Sequence, residues 1–382
     1  MFLNKSHRPV WAEINIDAIR SNLIYIKSKL SQDINIMGVV KADAYGHGAI
    51  TVSQELLKLG VEYLAVSNID EAIELRNAGL SSPLLLFGPV ETPEFGKLIQ
   101  FNVFPSVFSV DYARELSESY RYRGVFPKVH IKIDSGMGRL GIPVEDALLD
   151  IEQISKIEGM IIDGIYSHYP SADEDIPYSE QQTLHFTKLI ADIRRLGIKV
   201  KHFHIANSAG IQNLPASCGE PYTMVRPGLS LYGYSTQKNP DIQNSMSLKG
   251  RITAINKMKK GATVSYLRTY TVKESNEQIA VLPLGYADGI PTILSNKLKV
   301  KIKNKLYPVV GRICMDFMMI SLGQNPEKIQ VGDEVTVFGE GAASVEYFGK
   351  LCHKIPYEVT CGITKRVPRI YTRKEDERKT IE

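Results

Sequence analysis

The sequence predicts an α/β protein in which a (β/α)8 barrel is followed by a mostly β C-terminal domain. Two observations predict this fold class. Between about residues 35 and 226, short aliphatic and β-branched runs alternate with amphipathic segments. Beyond about residue 245 the pattern changes to strands separated by turns. We therefore expect a barrel domain over residues 1–240 and a β domain over residues 241–382.

Eight runs in the first region have the composition of buried strands. They are residues 34–41, 62–66, 84–87, 103–107, 129–134, 161–168, 202–205 and 223–226. Helical patterns separate them, and one offers Asn68 as N-cap, Glu71 at the third helical position and Gly79 as a stop. Eight strand-then-helix units are typical of a closed parallel barrel rather than of an open sheet.

Composition and charge argue against nucleic-acid binding, a membrane location and a metal site. The 46 basic and 42 acidic residues are spread along the chain, so no basic patch for nucleic acid is predicted. No apolar run is long enough for a membrane span and the N-terminus lacks a signal-peptide core, so we expect a cytoplasmic protein with no membrane partner. The four cysteines form no CxxC pair and no metal-ligand spacing, which predicts free thiols and no metal site.

Polar, glycine-rich clusters follow five of the predicted barrel strands. They are Lys41 after the first strand, 132–141 at the fifth, 166–173 at the sixth, 204–210 at the seventh and 224–233 at the eighth. Because active sites of such barrels lie at the carboxyl ends of the strands, these clusters predict a single site. Asn207, Ser208, Gly228 and Leu229 offer amide, hydroxyl and backbone N–H donors there, which favours an anionic ligand such as phosphate.

Lys41 stands at the end of the first strand, in the segment VVKADAYGHG. A partly desolvated amine loses its proton more easily and becomes nucleophilic. Beside a phosphate pocket, this lysine suggests pyridoxal phosphate held covalently on its amine. A lysine that merely ends a strand at the surface explains these ten residues equally well.

Eight segments resemble, in order and spacing, those of the bacterial alanine racemases. They are VVKADAYGHG, HIKIDSGMGRLG, HIANSAG, MVRPGLSLYG, TVSYLRTYT, LPLGYADGIP, VGRICMD and YEVTCGITKRVPRIY. The resemblance extends from Pro9 to Tyr371. It implies a fold type III pyridoxal phosphate enzyme that interconverts L-alanine and D-alanine and supplies D-alanine for peptidoglycan. It also implies a homodimer with composite active sites.

The resemblance implies two catalytic bases, because a proton taken from one face of the substrate must be replaced on the other. Lys41 would hold the cofactor and act as one base, and Tyr266 as the second. His168 and Arg226 would form a relay that lowers the phenol pKa from about 10. Arg226 would face the pyridine nitrogen, and a guanidinium can only donate to it, which suits proton removal and rapid return. The alternatives are a Tyr266 that packs in a strand and an Arg226 that forms a salt bridge at the barrel rim.

The remaining site residues follow from the same resemblance. The implied cofactor contacts are Tyr45, Ser208, Gly228, Leu229 and Tyr357 at the phosphate, with His168 and Asn207 beside them. The implied substrate contacts are Arg139, Met315 and Asp316, and the implied entrance residues are Asp173, Tyr286 and Arg312. Lys132 matches a lysine that many members carry as a carbamate, which would orient Arg139. An unmodified Lys132 paired with Asp134 is the alternative.

Two positions depart from the family pattern, and three other functions compete. Leu267 stands where glycine usually follows the tyrosine, so a different loop conformation is expected, and Thr292 replaces an arginine near the substrate corridor. A pyridoxal phosphate carrier protein would leave the second domain unexplained. A basic-amino-acid decarboxylase would need an acidic group where Arg226 stands. A broad-specificity or serine-type racemase stays open, although Lys132 favours alanine.

Overall fold

The computed structural model describes residues 8–235, 239–339 and 341–373. The chain forms two compact units. The barrel unit contains the described residues of 19–44 and 48–243, and the β unit contains those of 8–18, 45–47 and 244–373. None of the helices in the described ranges has the length and hydropathy needed to cross a membrane.

The first ten strands and the helices between them run as follows in chain order. The strands are β1 (Val10–Asn15), β2 (Asn35–Val39), β3 (Tyr63–Val66), β4 (Leu84–Leu86), β5 (Phe104–Val107), β6 (Lys128–Asp134), β7 (Ile142–Pro143), β8 (Ile161–Tyr166), β9 (His202–His204) and β10 (Met224–Val225). The helices are α1 (Ile16–Lys27), α2 (Ala49–Lys58), α3 (Ile69–Asn77), α4 (Phe95–Gln100), α5 (Val110–Arg121), α6 (Ala147–Ser155), α7 (Ile176–Arg195) and α8 (Ser208–Asn213).

Eight of these strands form a near-closed parallel barrel in the order β10, β2, β3, β4, β5, β6, β8, β9, with β7 paired beside β6. The ring closes between β9 and β10, where Thr223 N–H donates to Phe203 O (3.0 Å) and Arg226 N–H to Ala206 O (2.9 Å). The predicted fold class is confirmed. The predicted α3 cap is also present, because Asn68 Oδ1 accepts from the N–H of Glu71 (3.0 Å).

Strand β6 buries aliphatic side chains on one face and polar side chains on the other. Successive side chains of a strand point to opposite sides. In β6, Val129, Ile131 and Ile133 therefore share one face, while His130 and Lys132 share the other, and all five are buried. The polar face of β6 begins a cluster of buried titratable groups that extends to β8, β9 and β10.

The β unit contains β1 and ten later strands. These are β11 (Met246–Arg251), β12 (Ala254–Met258), β13 (Thr263–Val264), β14 (Tyr270–Thr271), β15 (Glu277–Leu282), β16 (Lys299–Ile302), β17 (Lys305–Pro308), β18 (Met318–Ser321), β19 (Glu334–Phe338) and β20 (Arg369–Thr372), with helices α9 (Val345–Cys352) and α10 (Pro356–Cys361). The main sheet has the order β17, β16, β19, β11, β1, β20, and smaller sheets pair β12 with β15 and β18 and β13 with β14.

The N-terminal strand belongs to the β unit. β1 pairs antiparallel with β11, with Val10 opposite Gly250 and Ile14 opposite Met246, and it pairs parallel with β20. The sequence predicts that residues 1–240 all belong to the barrel domain, but in the structure residues 8–18 belong to the β unit. The reason is that β1 packs as a strand of the main sheet, where every second residue of β1 is buried.

The cysteines and potential metal ligands can be located directly. Cys218, Cys314, Cys352 and Cys361 form no disulfide with one another. Across the part of the chain that the structure describes, no group of three or more His, Cys, Asp or Glu side chains is arranged to hold a metal ion.

Candidate active site

Lys41 follows β2 and opens a turn with left-handed backbone. Residues 42–45 have φ values of 53°, 54°, 53° and 55°. A single non-glycine residue in this region costs roughly 1–2 kcal/mol, so four in succession need support from neighbouring groups. The turn holds the Lys41 backbone at the carboxyl end of the barrel.

Two carboxylates supply that support. Glu71 accepts hydrogen bonds from Ala42 N–H (2.8 Å) and from Ser67 N–H (2.7 Å). Asp43 Oδ1 accepts from Ala49 N–H (2.7 Å), the first residue of α2. The turn is therefore tied to β3, through Glu71, and to the following helix.

Arg226 follows β10 and is 3% exposed. Its Nη1 donates to His204 Nδ1 (2.7 Å), and its Nη2 lies within reach of Ser167 O (2.7 Å), Ile205 O (3.1 Å) and His168 Nδ1 (3.2 Å). Burial lowers its pKa to about 10, so it stays charged at neutral pH. It forms no ion pair with any described carboxylate, which rules out the alternative of a salt-bridged arginine there.

The guanidinium retains unused donors. Of its five N–H groups, Nε–H and one Nη1–H find no acceptor among the described residues of the protein. A buried cation with two spare donors at the carboxyl end of a barrel suits a ligand that presents a lone pair. The pyridine nitrogen of pyridoxal phosphate is such an acceptor, so the residues present fit the cofactor.

His168 follows β8 and is held by Arg226. Because a guanidinium only donates, His168 Nδ1 accepts and its ring proton lies on Nε2. Burial lowers its pKa well below the usual value, and the charges of Arg226, Lys132, Arg139 and Lys41 lower it further. His168 is therefore a neutral imidazole beside Arg226, so the inner contact of the predicted relay is present.

Lys132 is a buried amine on β6. Its Nζ donates to Ile133 O (2.7 Å) and lies 5.4 Å from the centre of the Tyr166 ring. Burial first, and the charge of Arg226 second, lower its pKa to about 7. Among the described residues it forms no ion pair, so the alternative pairing with Asp134 is not observed.

Asp134 instead organises the loop that carries Arg139. Its Oδ1 accepts from the N–H groups of Gly136 (2.9 Å), Met137 (2.8 Å) and Gly138 (3.1 Å), and its Oδ2 from Arg139 N–H (3.1 Å). Burial raises its pKa, but these four backbone donors outweigh burial and hold the pKa below its usual value. The carboxylate thus fixes the backbone from which the Arg139 side chain extends.

Hydrogen-bond donors converge on Ser208 from the turn after β10. Ser208 Oγ accepts from Gly228 N–H (3.0 Å), Ser230 N–H (3.2 Å) and Ser230 Oγ (3.1 Å). Leu229 opens a short 3-10 helix, Leu229–Tyr232, so its N–H has no acceptor within that helix. Ser208 Oγ–H and Leu229 N–H find no acceptor among the described residues, and this small cradle of donors suits phosphate oxygens.

Asn207 supports the cradle rather than extending it. Its Oδ1 accepts from Gly210 N–H (2.9 Å) as the N-cap of α8, and its Nδ2 donates to Tyr169 O (3.1 Å). Both ends of the side chain are occupied by the backbone, which fixes the start of the helix that carries Ser208.

Tyr266 lies on a strained loop of the β unit. It is 69% exposed, so the alternative of a tyrosine packed within a strand is wrong. Ser265, Leu267 and Arg268 have φ values of 67°, 61° and 53°. Ser265 Oγ donates to Arg312 O (2.5 Å), which ties the loop to the segment that leads to Met315.

The loops that carry Tyr286 and Met315 are also joined. Tyr286 N–H donates to Cys314 O (3.0 Å) and Ala287 N–H to Met315 O (3.1 Å). A Cβ at Gly285 would lie 2.3 Å from Cys314 O, so this approach requires glycine. The adjacent Asp316 pairs with Arg366 (2.6 Å).

Tyr45 and Tyr357 belong to the β unit. Burial raises the pKa of Tyr45, and the neighbouring Cys361 and Tyr357 raise it further. Tyr45 therefore keeps its phenol proton at neutral pH and can donate to an anion.

Both regions of the chain match one family. Residues 14–236 match the family described as alanine racemase, N-terminal domain, and residues 245–371 match alanine racemase, C-terminal domain. The chain belongs to the alanine racemase family. The resemblance predicted from the sequence is confirmed, and so is the assignment to the isomerases.

Individual family members are similar over nearly their whole length. The alanine racemase of Clostridium tetani is 42% identical over 381 residues, with 97% of each chain covered. That of Desulforamulus reducens is 41% identical over 95% of this chain and 99% of its own. The solved structure of the alanine racemase of Clostridium difficile 630 gives a TM-score of 0.91 at 38% identity, covering 96% of this chain and 97% of that one.

The predicted racemase residues fall into two sets, one in each unit. The barrel unit carries Lys41, Lys132, Arg139, His168, Asp173, Asn207, Ser208, Arg226, Gly228 and Leu229, and the β unit carries Tyr45, Tyr266, Tyr286, Arg312, Met315, Asp316 and Tyr357. Of the two departures from the family pattern, Leu267 takes the left-handed conformation that glycine adopts easily. Thr292 opens a short 3-10 helix.

Two organising carboxylates of this racemase were missed. Asp134 had a local signal, because an Asp followed by glycines is typical of a side chain that caps a turn. Asp288 had none. It is fully buried and accepts from Arg8 Nη1 (2.8 Å), Arg8 Nη2 (3.0 Å) and Gly285 N–H (3.0 Å), and Arg8 lies 280 residues away in sequence.

Proposed function

We propose that the protein interconverts L-alanine and D-alanine with pyridoxal phosphate held on Lys41, using Lys41 and Tyr266 as its two bases. The observation that carries the proposal is Arg226. It is a buried guanidinium that pairs with no carboxylate of the described residues, and two of its donors find no acceptor among them. It lies at the same end of the barrel as Lys41 and the Ser208 cradle.

Each part of the barrel site has a task in this proposal. When bound, pyridoxal phosphate supplies an electron sink that makes the α-hydrogen of an amino acid acidic. Ser208, Gly228 and Leu229 donate to its phosphate, and Tyr45 and Tyr357 add phenol donors. Arg226 donates to the ring nitrogen and keeps that nitrogen unprotonated, because a guanidinium has no proton to give at neutral pH. The sink is weakened, which favours fast return of the proton.

Proton transfer needs a base on each face of the substrate. Lys41 serves one face, and Tyr266 serves the other. In this proposal His168, which is neutral, protonated on Nε2 and held by Arg226, links Arg226 to the phenol of Tyr266.

Substrate binding is assigned to residues beside these bases. Arg139 and the Met315 N–H receive the alanine carboxylate, with Asp316 next to them, and Asp173, Tyr286 and Arg312 line the entrance. A carbamate on Lys132 would orient Arg139. The Lys132 pKa of about 7 supports this assignment, because only a neutral amine reacts with CO2.

We place Tyr266 and Met315 of one copy over the barrel mouth of a second copy. Tyr266, Leu267 and Met315 are 69%, 75% and 52% exposed, and large exposed side chains grouped on loops are typical of an interface. The assembly would be a homodimer with two composite sites, acting in the cytoplasm to supply D-alanine for peptidoglycan.

A coupled assay for D-alanine tests the activity. Protein loaded with pyridoxal phosphate is given L-alanine, and L-serine and L-lysine are run in parallel. We expect D-alanine to form fastest. Loaded protein that produces no D-alanine would overturn the proposal, and faster turnover of serine would favour the serine-type racemase.

A further inference from the structure

A row of buried polar side chains crosses the barrel interior away from the site. Arg226 Nη1 lies 2.7 Å from His204 Nδ1, and His204 Nε2 lies 2.9 Å from His130 Nδ1. His130 Nε2 lies 3.3 Å from Asp163 Oδ2. The exposed fractions are 3% for Arg226, 0% for both histidines and 7% for Asp163, so the row is shielded from bulk solvent.

The two ends of the row decide where every proton lies. Arg226 can only donate, so His204 Nδ1 carries a lone pair and His204 Nε2 carries the proton. That proton points at His130 Nδ1, which must accept, so the proton of His130 lies on Nε2. An ionised Asp163 only accepts, and it receives this last proton. Both rings are therefore neutral and in the Nε2–H form.

The surroundings agree with neutral rings and an ionised acid. Burial lowers the pKa of His130 and lowers that of His204 well below its usual value. Burial alone would raise the pKa of Asp163, but the hydrogen bond from His130 and nearby positive groups hold it below its usual value. Around Asp163, Tyr63 OH lies 3.3 Å from Oδ2, 3.0 Å from His202 Nε2 and 3.1 Å from Lys201 Nζ.

The fold reserves space for the two rings. A Cβ at Gly164 would lie 2.3 Å from His130 Nδ1, so the adjacent strand leaves out a side chain where the His130 ring passes. Tyr166 stacks on His204, with centroids 5.0 Å apart and planes 3° from parallel. The space beside Gly164 and the stacking of Tyr166 restrict the two imidazole rings to the orientation that the hydrogen bonds require.

We propose that His204, His130 and Asp163 are positioning residues that fix the guanidinium of Arg226 by a one-way hydrogen-bond chain. The chain keeps a lone pair of His204 directed at Arg226, and Asp163 on β8 completes its other end. It is not a proton wire, because its upper end is a guanidinium that keeps its protons. The inference rests on the proposed function in one respect, namely that Arg226 contacts the ring of pyridoxal phosphate.

The first test determines the protonation of the rings without the cofactor. Cofactor-free protein is labelled with 15N in the histidine imidazoles, and the signals of residues 130 and 204 are assigned from His130→Gln and His204→Gln variants. We expect Nε2 to be protonated and Nδ1 to be unprotonated in both rings, and we expect this pattern to stay the same from about pH 6 to about pH 9. A charged ring, or an Nδ1–H form of either ring, would overturn the chain.

The second test uses a matched pair at His204 in the loaded enzyme. In His204→Asn the amide oxygen can occupy the Nδ1 position and accept from Arg226, whereas in His204→Gln the amide lies near the Nε2 position. We expect kcat to be about tenfold lower in His204→Gln than in His204→Asn, with nearly equal KM for alanine. The reason is that only His204→Gln leaves Arg226 without this acceptor. The cofactor absorption should shift in the Gln variant alone.

Equal kcat values and equal spectra for the two variants would overturn the positioning role. A failure of the proposed function looks different, because the labelled rings would keep the expected pattern in a protein that takes up no pyridoxal phosphate. If His204→Gln does not fold, the pair Asp163→Asn and Asp163→Leu repeats the comparison at the far end. Asparagine keeps an acceptor for His130 and leucine removes it, so the Leu variant should have the lower kcat.

Discussion

Arg226 is charged, buried and held by backbone carbonyls and two imidazoles instead of a carboxylate. A buried cation costs several kcal/mol of solvation unless other groups satisfy it. Here neutral acceptors satisfy part of the guanidinium and leave donors for a ligand. In the proposed complex this arrangement would hold a positive group next to the ring nitrogen of pyridoxal phosphate, which is the reverse of what a strong electron sink needs.

Replacing this arginine with an acid should therefore change the chemistry. We expect Arg226→Glu to lower the racemisation rate about a hundredfold or more and to add a long-wavelength absorption band in the presence of alanine. Arg226→Lys, which keeps the charge, serves as the control and should add no such band. An Arg226→Glu enzyme with unaltered rate and spectrum would mean that Arg226 does not contact the cofactor ring.

Lys132 gives a pH dependence with a defined sign. Its pKa is about 7 in the folded protein, below the ordinary value of 10.5, so between these values the unfolded chain binds a proton that the folded protein does not. Stability linked to Lys132 therefore rises with pH from about 7 to about 10.5, and it is lost as pH falls from 10.5 to 7, below which Lys132 adds no further change.

Urea unfolding at several pH values checks this linkage. In CO2-free buffer, the free energy of unfolding of Lys132→Met should increase less between pH 7 and 10 than that of the unmodified protein. Lys156→Met is the control, because Lys156 is an exposed lysine and its removal should leave the slope unaltered. Parallel pH profiles for Lys132→Met and the unmodified protein would contradict a depressed pKa.

At the scale of elements, the Tyr266 loop has a leucine at a position whose left-handed backbone conformation glycine adopts without strain. Leu267 has φ 61° and ψ 4°, and its side chain is 75% exposed. Packing within the chain therefore does little to offset the backbone strain. Leu267→Gly removes the Cβ that causes the strain, although it also makes the unfolded chain more flexible.

Comparing the glycine and alanine variants at position 267 measures how much the left-handed backbone conformation destabilises the folded protein. Leu267→Ala removes the side chain but keeps Cβ, so we expect Leu267→Gly to be about 1 kcal/mol more stable than Leu267→Ala by chemical denaturation. An alanine variant as stable as the glycine variant would show that the loop does not hold a left-handed residue at this position.

The barrel elements were predictable because the information is local. Each strand is a short apolar run, and the polar residues after it must lie at the carboxyl end, so Lys41, Ser208 and Arg226 could be assigned to one end of the barrel. The positive φ values of residues 42–45 were not predictable, since the supporting Glu71 lies on another helix. The β1 pairing was missed for a similar reason, because its partner strands β11 and β20 lie more than two hundred residues away.

At the scale of the whole molecule, the proposed dimer makes each site composite. Lys41 of one copy would work with Tyr266 of the other. In a mixed dimer of Lys41→Ala and Tyr266→Phe, one site then receives both lesions and the other receives none. Random pairing makes about half of the dimers mixed, so co-expression of the two inactive variants should restore roughly a quarter of the unmodified activity.

The control is a mixture of the two variants purified separately and assayed before their subunits exchange, which should stay inactive. If Tyr266 instead served the barrel of its own chain, every site in a mixed dimer would carry one lesion. Co-expression would then restore no activity, and the composite site would be wrong.

Attachment of the cofactor to Lys41 is the claim on which the rest of the account depends. Protein incubated with pyridoxal phosphate is reduced with borohydride and digested, and the modified peptide is located by mass spectrometry. The account predicts a yellow protein and a single labelled site at Lys41, with no label in Lys41→Ala. Label on another lysine with Lys41 unmodified, or a protein that takes up no cofactor, would contradict it.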